Sequence, residues 1–292
     1  MIQKGETFVS VDEDGRGLET WKQENGFPDL VLGGRFDDET DERCRCYEIS
    51  SNEYSTENFW IPLFKRRFKA ELERGERPRI LSVGCGIGVE VEMLCEAGFA
   101  CYGIDNGNRT KDWPKRKFSS GLLLANAMHM PFKSDSFDAV FCGCVFPHVG
   151  VVGDSNITSE TYLLDRQKLA DEMVRVAKPS GLVVACSPNR MCPFDIFHGR
   201  EAGSYLPRFN PWGSRFLLSI GDYKRMFGSA GCSKVESLPV EGFWGFVTMN
   251  NSIKGRLLSA PIKLAFRLAS TRAFRFLRPS PFLPWVAVGG TK

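Results

Sequence analysis

Apolar residues along this chain change period repeatedly, and each change marks a predicted element. From Thr56 to about Arg74, Phe59, Leu63, Phe64, Phe68 and Leu72 recur at helical spacing, which predicts an amphipathic helix stopped by Glu76-Arg77-Pro78. Five short apolar runs bounded by turn residues then read as buried strands: RILSVG (79–84), FACYGID (99–105), GLLLANA (121–127), FDAVFCG (137–143) and GLVVACS (181–187). Between the first two, VEVEMLCEAG (89–98) puts Val89, Met93 and Leu94 on one helical face, and a second helix is expected over residues 161–181. IGDYKRMFGSAG (220–231) reads as a further helix, CSKVESLPV (232–240) as a strand, and PWVAVGGT (284–291) as the last strand. Strands alternating with helices predict a mostly parallel sheet with helices on both faces.

A chain of 292 residues is long enough for two domains of about 150 residues each or for a single α/β domain with extensions. At 42% hydrophobic and 25% charged residues it is not collagen, coiled coil or a wholly disordered chain. No run of 18 apolar residues occurs, and the opening MIQKGETFVSVDEDG is acidic with no apolar core. Neither a membrane span nor a secretory signal is therefore expected, and the cytoplasm is the default location. The ten cysteines (44, 46, 85, 95, 101, 142, 144, 186, 192 and 232) contain no C-x-x-C pair, so we assign them no metal and read them as reduced, mostly buried thiols, with a disulfide framework as the rival.

Charge divides the chain. Residues 1–53 carry 14 acids against 6 bases, whereas residues 242–292 carry seven Arg or Lys before Lys292 and no acid. We expect an acidic N-terminal extension over residues 1–54, with short β-like pieces TFVSV and DLVLGG and the run FDDETDE, ahead of a main domain over residues 55–292. Within that domain a Pro- and aromatic-rich segment at about 188–216 and a basic segment at about 250–280 read as insertions. In the second, Ile262, Ala265, Phe266, Ala269, Ala273, Phe276 and Leu277 fall on one helical face, opposite Lys263, Arg267, Arg272, Arg275 and Arg278. Such a helix either caps a substrate pocket with its charges in water, or docks residues 251–280 on anionic membrane.

Ligands of open parallel sheets bind beyond the carboxyl ends of the strands, where a glycine turn admits backbone to the ligand. Gly84, Gly86 and Gly88 follow the first main strand, and Asp105 ends the second at a distance suited to ribose hydroxyls. A dinucleotide fingerprint is G-x-G-x-x-G, but here the third glycine comes one residue early and Val89 stands where Gly or Ala is wanted. A tight strand-to-helix junction with no ligand is the alternative.

ILSVGCGIGVEVEML, YGIDNGNR, ANAMHMPFKSDSFDAVFC and LADEMVRVAKPSGLVVACSPN together resemble the class I S-adenosylmethionine-dependent methyltransferases, specifically the type 11 small-molecule group, over roughly residues 78–240. The resemblance implies a Rossmann-like sheet of seven strands, mostly parallel with the last antiparallel, and S-adenosylmethionine as cofactor. It implies that Gly84, Cys85, Gly86 and Gly88 approach the methionine portion, that Asp105 and Asn106 meet the ribose, and that Asn126 and Ala127 flank the adenine. Cys142, Gly143 and Cys144 would face the methylsulfonium. Two departures stand out: Ser82 where many members have an acid, and Asn126 in place of a common Asp.

Methyl transfer needs alignment, and a base where the acceptor must lose a proton. His148 follows the fourth main strand, His198 follows the fifth in PNRMCPFDIFHGR, and either can be that base. Asp195 is placed to orient His198, and Asn189, Asp195 and His198 recur in the substrate-side insertion of some family members. His129, in the adenine-side loop, reads as structural. The segment CGCVFPH replaces the D/N-P-P-Y/F patch of amino-methylating nucleic-acid enzymes, and Cys192 precedes Pro193 where cytosine C5 chemistry needs Pro-Cys, so nucleic acid is not the expected acceptor. The expected function is O-methylation of a small-molecule or lipid-linked acceptor. A nicotinamide-dependent oxidoreductase and a non-catalytic cofactor-binding or membrane-docking module are the alternatives.

Overall fold

Alternate residues of the central strands face opposite sides of one sheet, and each side closes its own core. The computed structural model describes residues 22–24, 27–31, 42–153, 155–195, 197–198, 208–242 and 253–292. In chain order the strands are β1 (Lys22–Glu24), β2 (Phe27–Asp29), β3 (Arg79–Val83), β4 (Ala100–Asp105), β5 (Leu122–Leu124), β6 (Phe137–Gly143), β7 (Ala177–Pro188), β8 (Phe194–Asp195), β9 (Arg208–Phe209), β10 (Ser233–Ser237) and β11 (Trp285–Thr291). Nine of them form the main sheet in the order β1-β2-β5-β4-β3-β6-β7-β11-β10, while β8 and β9 make a separate antiparallel pair.

All seven predicted strands are present, and β11 is antiparallel to both β7 and β10. Among the described residues the sheet nevertheless has nine strands and not seven, because the N-terminal extension contributes β1 and β2. Asp29 lies opposite Leu124 in parallel register, and the Leu30 amide donates to the Leu124 carbonyl at 2.8 Å. Without β2 the apolar strand β5 would present an open edge. Phe27 secures the addition by packing edge-on against Trp113, ring centroids 5.2 Å apart. The TFVSV segment and most of FDDETDE lie outside the described residues.

One face of the sheet offers Leu81, Val83, Val140, Val183 and Val288 to helices α5 (Tyr162–Val176) and α6 (Ile220–Ser229). A capping box between Ser219 and Asp222 starts α6, whose Ile220, Tyr223 and Phe227 are buried at helical spacing. Ile80, Leu122, Phe141, Val184 and Trp285 face the other side. There the segment predicted as one helix is three pieces: a π-helical turn (Thr56–Trp60), α2 (Ile61–Arg67) and α3 (Lys69–Glu73), broken at Phe68. Phe59, Trp60, Phe64 and Phe68 are buried from these pieces, and helix α4 (Val89–Glu96) adds Val91 and Leu94. The remaining helices are α1 (Glu42–Ser55), ahead of the π-helical turn, and α7 (Ile253–Ser270).

In α7, Phe266 and Ala269 enter the core and Ile262 and Ala265 pack against it. Beyond Ser270 the single apolar face read from the sequence is broken, although Leu277 still packs against this core. Phe276 is 65% exposed, and Arg278 is no solvated base: its guanidinium donates to the carbonyls of Ser237 (2.7 Å), Ala269 (2.8 Å) and Ser270 (3.2 Å). The physical reason is that α7 stops at Ser270, where its terminal carbonyls need donors, and a returning chain supplies them. A second apolar row, Ile253, Leu257, Leu264 and Leu268, is exposed on α7.

Candidate active site

Strands β3, β4, β5, β6 and β7 are parallel, so their carboxyl ends share one edge of the sheet, and the chain order reverses between β3 and β6. The glycine turn after β3 opens at this switch point. Gly84 (φ +72°), Gly86 (+49°) and Gly88 (+79°) all lie in the left-handed region, and a β-carbon on Gly84 would stand 2.1 Å from Val145 Cγ2. Both reasons exclude a side chain there. The turn is tied at both ends: the amides of Gly84 and Cys85 donate to the Ile104 carbonyl, and buried Trp113 donates its indole N–H to the Gly86 carbonyl at 2.8 Å. Cys85 is fully buried and offers only backbone to a ligand.

Asp105, at the end of β4, accepts the amides of Gly86 (2.9 Å) and Gly107 (2.7 Å). A carboxylate has about four lone-pair positions, so it keeps capacity for hydroxyl donors. Asn106 is half-buried beside it. On the adenine-side loop, Asn126 is buried and its side-chain oxygen accepts the Met128 amide at 3.0 Å, which shapes the turn, while Ala127 is half-buried next to it. His129 lies within 2.8 Å of the Lys168 ammonium.

An acid reaches Ser82 from the following helix. Ser82 is buried and donates its hydroxyl to Glu90 Oε1 at 3.1 Å, while Glu90 Oε2 is buried with no hydrogen-bond partner. Burial pushes the Glu90 carboxyl up to about 7, against the backbone and Ser82 hydrogen bonds that favour its charged form. On the solvent side, Arg109 donates to Glu48 of α1 at 2.7 Å, and its Cδ would touch a β-carbon on Gly86 at 3.4 Å. Helix α1 thus reaches the glycine turn through this ion pair. Sequence reasoning missed Glu90, Arg109 and Trp113; a charged residue on the buried face of α4 was the available signal for the first.

The Cys142 side chain does not face the switch point. Strand alternation turns it into the core under α5 and α6, and burial pushes its thiol up to about 12. What emerges beyond β6 is Gly143 and Cys144, the latter at φ +67°. A 3-10 turn, Phe146–His148, then brings His148 back beside it.

His198 arrives from the segment after β7. Asp195 is buried: Oδ1 accepts the amides of Phe197 and His198 (3.0 and 3.1 Å), and Oδ2 lies 2.9 Å from His198 Nδ1 and 3.1 Å from Arg208 Nη2. Burial works against the charged Asp195, but the His198 hydrogen bond, the imidazole's charge and the two amides outweigh it and hold the carboxyl below its ordinary range. Because an ionised carboxylate only accepts, Nδ1 carries a proton, and in the neutral ring Nε2 is then the nitrogen with the lone pair. The His148 and His198 rings meet edge to face at 5.4 Å, and Phe216 backs both, at 5.4 and 4.8 Å. Asn189 is used structurally: its amide donates to the carbonyls of Ser280 and Leu283. Residues 196 and 199–207 of this insertion lie outside the described residues.

Residues 81–185 match a family described as methyltransferase domain. Among curated proteins, the chain is 26% identical over 171 residues to the chloroplastic tocopherol O-methyltransferase of Arabidopsis thaliana, covering 56% of this chain and 42% of that protein. It is 31% identical over 111 residues to the methyltransferase GfsG of Streptomyces halstedii, covering 35% of each. The chain thus spans between about a third and a half of the length of these relatives. Among solved structures, it superposes on phosphoethanolamine N-methyltransferase 2 of Haemonchus contortus with a TM-score of 0.44 at 17% identity, over 78% of this chain and 52% of that one. A methyltransferase of Archaeoglobus fulgidus gives 0.44 at 16% identity, over 80% and 94%.

Proposed function

We propose that this chain, whose residues 81–185 match a methyltransferase-domain family, is a class I S-adenosylmethionine-dependent methyltransferase and that it methylates oxygen on a small-molecule or lipid-linked acceptor. On this reading the nicotinamide alternative is set aside, in keeping with the third glycine coming one residue early at Gly88. The observation that carries the proposal is the buried Asp195 held 2.9 Å from His198, with His148 beside it, at the strand ends next to the glycine turn. When bound, S-adenosylmethionine supplies a sulfonium methyl group that an acceptor atom takes by in-line displacement.

The residues present fit such a cofactor. The turn at Gly84, Gly86 and Gly88 bares backbone, Asp105 retains acceptor capacity for ribose hydroxyls, and Glu90 keeps a buried, unpaired carboxylate oxygen suited to an ammonium group. At the other end His198, oriented through Nδ1, has Nε2 available for the proton of an acceptor hydroxyl, and His148 shares the position. That one relative is named as an O-methyltransferase supports oxygen as the acceptor atom.

The exposed row on α7 supports a lipid surface as the place where the acceptor is met. Ile253, Leu257 and Leu264 are 71%, 70% and 56% exposed, with Lys263 and Arg267 on the same helix and exposed Phe274, Phe276 and Phe282 following it. No helix among the described residues is long and apolar enough to cross a membrane, so the contact proposed is peripheral. Incubating the protein with methyl-labelled cofactor and an extract of metabolites and lipids tests the whole reading. A labelled methyl ether is the expected product; label on nitrogen overturns the acceptor, and no binding of S-adenosylhomocysteine in calorimetry overturns the reaction.

A further inference from the structure

Cys144, His148 and His198 converge. One ligand atom from each, a thiol sulfur and two ring nitrogens, lies within 4.8 Å of the other two. We infer that these three side chains hold a divalent transition metal of the zinc class, in a site whose open fourth position receives the acceptor. Tetrahedral bonds of about 2.3 Å to sulfur and 2.0–2.1 Å to nitrogen set ligand atoms roughly 3.5 Å apart. Binding therefore draws the three together by roughly an ångström at most, within reach of small side-chain rotations.

Independent features support a built site. Cys144 holds φ at +67°, a backbone conformation that a β-carbon disfavours and that persists where its surroundings fix it, most often at functional positions. Asp195 takes the Nδ1 proton of His198, the outer-shell arrangement that fixes the tautomer and ring orientation of metal-ligating histidines. Phe216 packs against both imidazoles and sets their mutual angle. All three ligands are half-buried, so an ion has a path in. One thiolate with two imidazoles suits zinc and its neighbours, whereas magnesium and calcium require oxygen donors. Three protein ligands leave a coordination place, as in catalytic zinc sites.

The absence of a C-x-x-C pair led the sequence reading to assign no metal. The ligands are instead a C-x-x-x-H pair after β6 and a histidine from the segment after β7, which only the parallel pairing of those strands brings together. What the ion does there rests on the methyltransferase proposal. An acceptor hydroxyl at the open position releases its proton to water near neutral pH because of the ion's charge. Its oxygen then forms the bond to the methyl carbon as the carbon–sulfur bond breaks, and that electron pair stays on sulfur. When the ion is bound, His148 and His198 act as its ligands and its charge takes over the activation of the acceptor that their imidazoles supply in the metal-free chain.

Titration of the metal-free, untagged chain with cobalt(II) tests the site. One equivalent is expected to bind, with thiolate-to-cobalt charge transfer and the intense visible bands of a four-coordinate ion, displaced by zinc. Cys144→Ser removes the charge-transfer band, and His148→Ala or His198→Ala weakens binding by more than about 100-fold. Asp195→Asn weakens it by about 10–100-fold at unchanged stoichiometry. Cys144→Gly separates loss of the site from loss of the fold: by relieving the positive φ it raises the melting temperature of the metal-free chain while abolishing the cobalt spectrum. Cys95→Ser, on α4, leaves that spectrum as it is. No stoichiometric binding by the wild type, a charge-transfer band that survives Cys144→Ser, or equal loss in Cys95→Ser overturns the inference. S-adenosylhomocysteine calorimetry on the same metal-free chain keeps the two readings apart. Cofactor binding without a cobalt site removes the metal alone, and cobalt binding without cofactor binding removes the methyltransferase proposal alone.

Discussion

The two halves of the sheet's carboxyl edge are built by opposite means. Beyond β3 and β4 the surface is backbone: three glycines in left-handed conformations, amides gathered by Asp105, and an indole fastening the Gly86 carbonyl, all within residues 84–113. Beyond β6 and β7 it is side chains collected from separate segments, with Cys144 and His148 from one, Asp195 and His198 from the next, and Arg208 and Phe216 from a third. A shape held by backbone tolerates little substitution and suits a ligand that does not change. A constellation of side chains can be exchanged residue by residue, which suits the half that must tell one acceptor from another.

If the halves are separable, His198→Ala lowers turnover by about 10²–10⁴-fold while S-adenosylhomocysteine affinity stays nearly constant. Turnover and affinity falling together in that variant would show one site and not two. The converse variant, Asp105→Ala, removes charge-assisted hydrogen bonds worth about 1.5–3 kcal/mol each. Cofactor affinity is expected to drop at least tenfold by calorimetry, with the rate at saturating cofactor largely kept.

Glu90 sharpens the comparison through pH. Its carboxyl titrates at about 7 in the fold against an ordinary 4.5, so between those values the folded chain binds a proton that the unfolded chain has lost. Stability from this group is full below about 4.5 and declines as pH rises towards 7, by up to about 3 kcal/mol. Glu90→Gln should flatten that part of a denaturation-against-pH curve and stabilise the protein at pH 8; an unchanged curve would mean that the carboxyl titrates normally. The smallest effect on the fold is expected on α7. Leu257→Asp with Leu264→Asp changes exposed positions and should move stability by no more than about 0.5 kcal/mol per site, yet abolish sedimentation with anionic vesicles. Retained sedimentation would exclude this row as the membrane contact.

The same difference explains what the sequence disclosed. Glycine spacing, the acid ending β4 and period-two strands are local patterns, and the strands they predict are those of the sheet. The pairing of Asp195 with His198 was legible for the same reason, three residues apart. The nearness of Cys144 to His198 was not, because it depends on β6 lying beside β7. Glu90 was hidden because its meeting with Ser82 depends on how α4 packs back on β3, which spacing along the chain does not reveal. The two N-terminal strands are three residues each, too short for alternation to register, and the outward row on α7 was obscured because that helix carries apolar residues on two faces.

The placement of β11 has a consequence for how the protein comes into being. This strand is made after every other strand of the sheet, yet it occupies an interior slot, with Val286 beside Ser187 of β7 and Val288 beside Ser237 of β10. Until it arrives, β10 has no partner and β7 shows a bare row of amides and carbonyls. A chain that is still folding therefore carries an open strand edge along β7 until β11 pairs with it. Insertion of β11, more than collapse of the glycine-turn half, should set the time at which the folding protein stops being a target for chaperones.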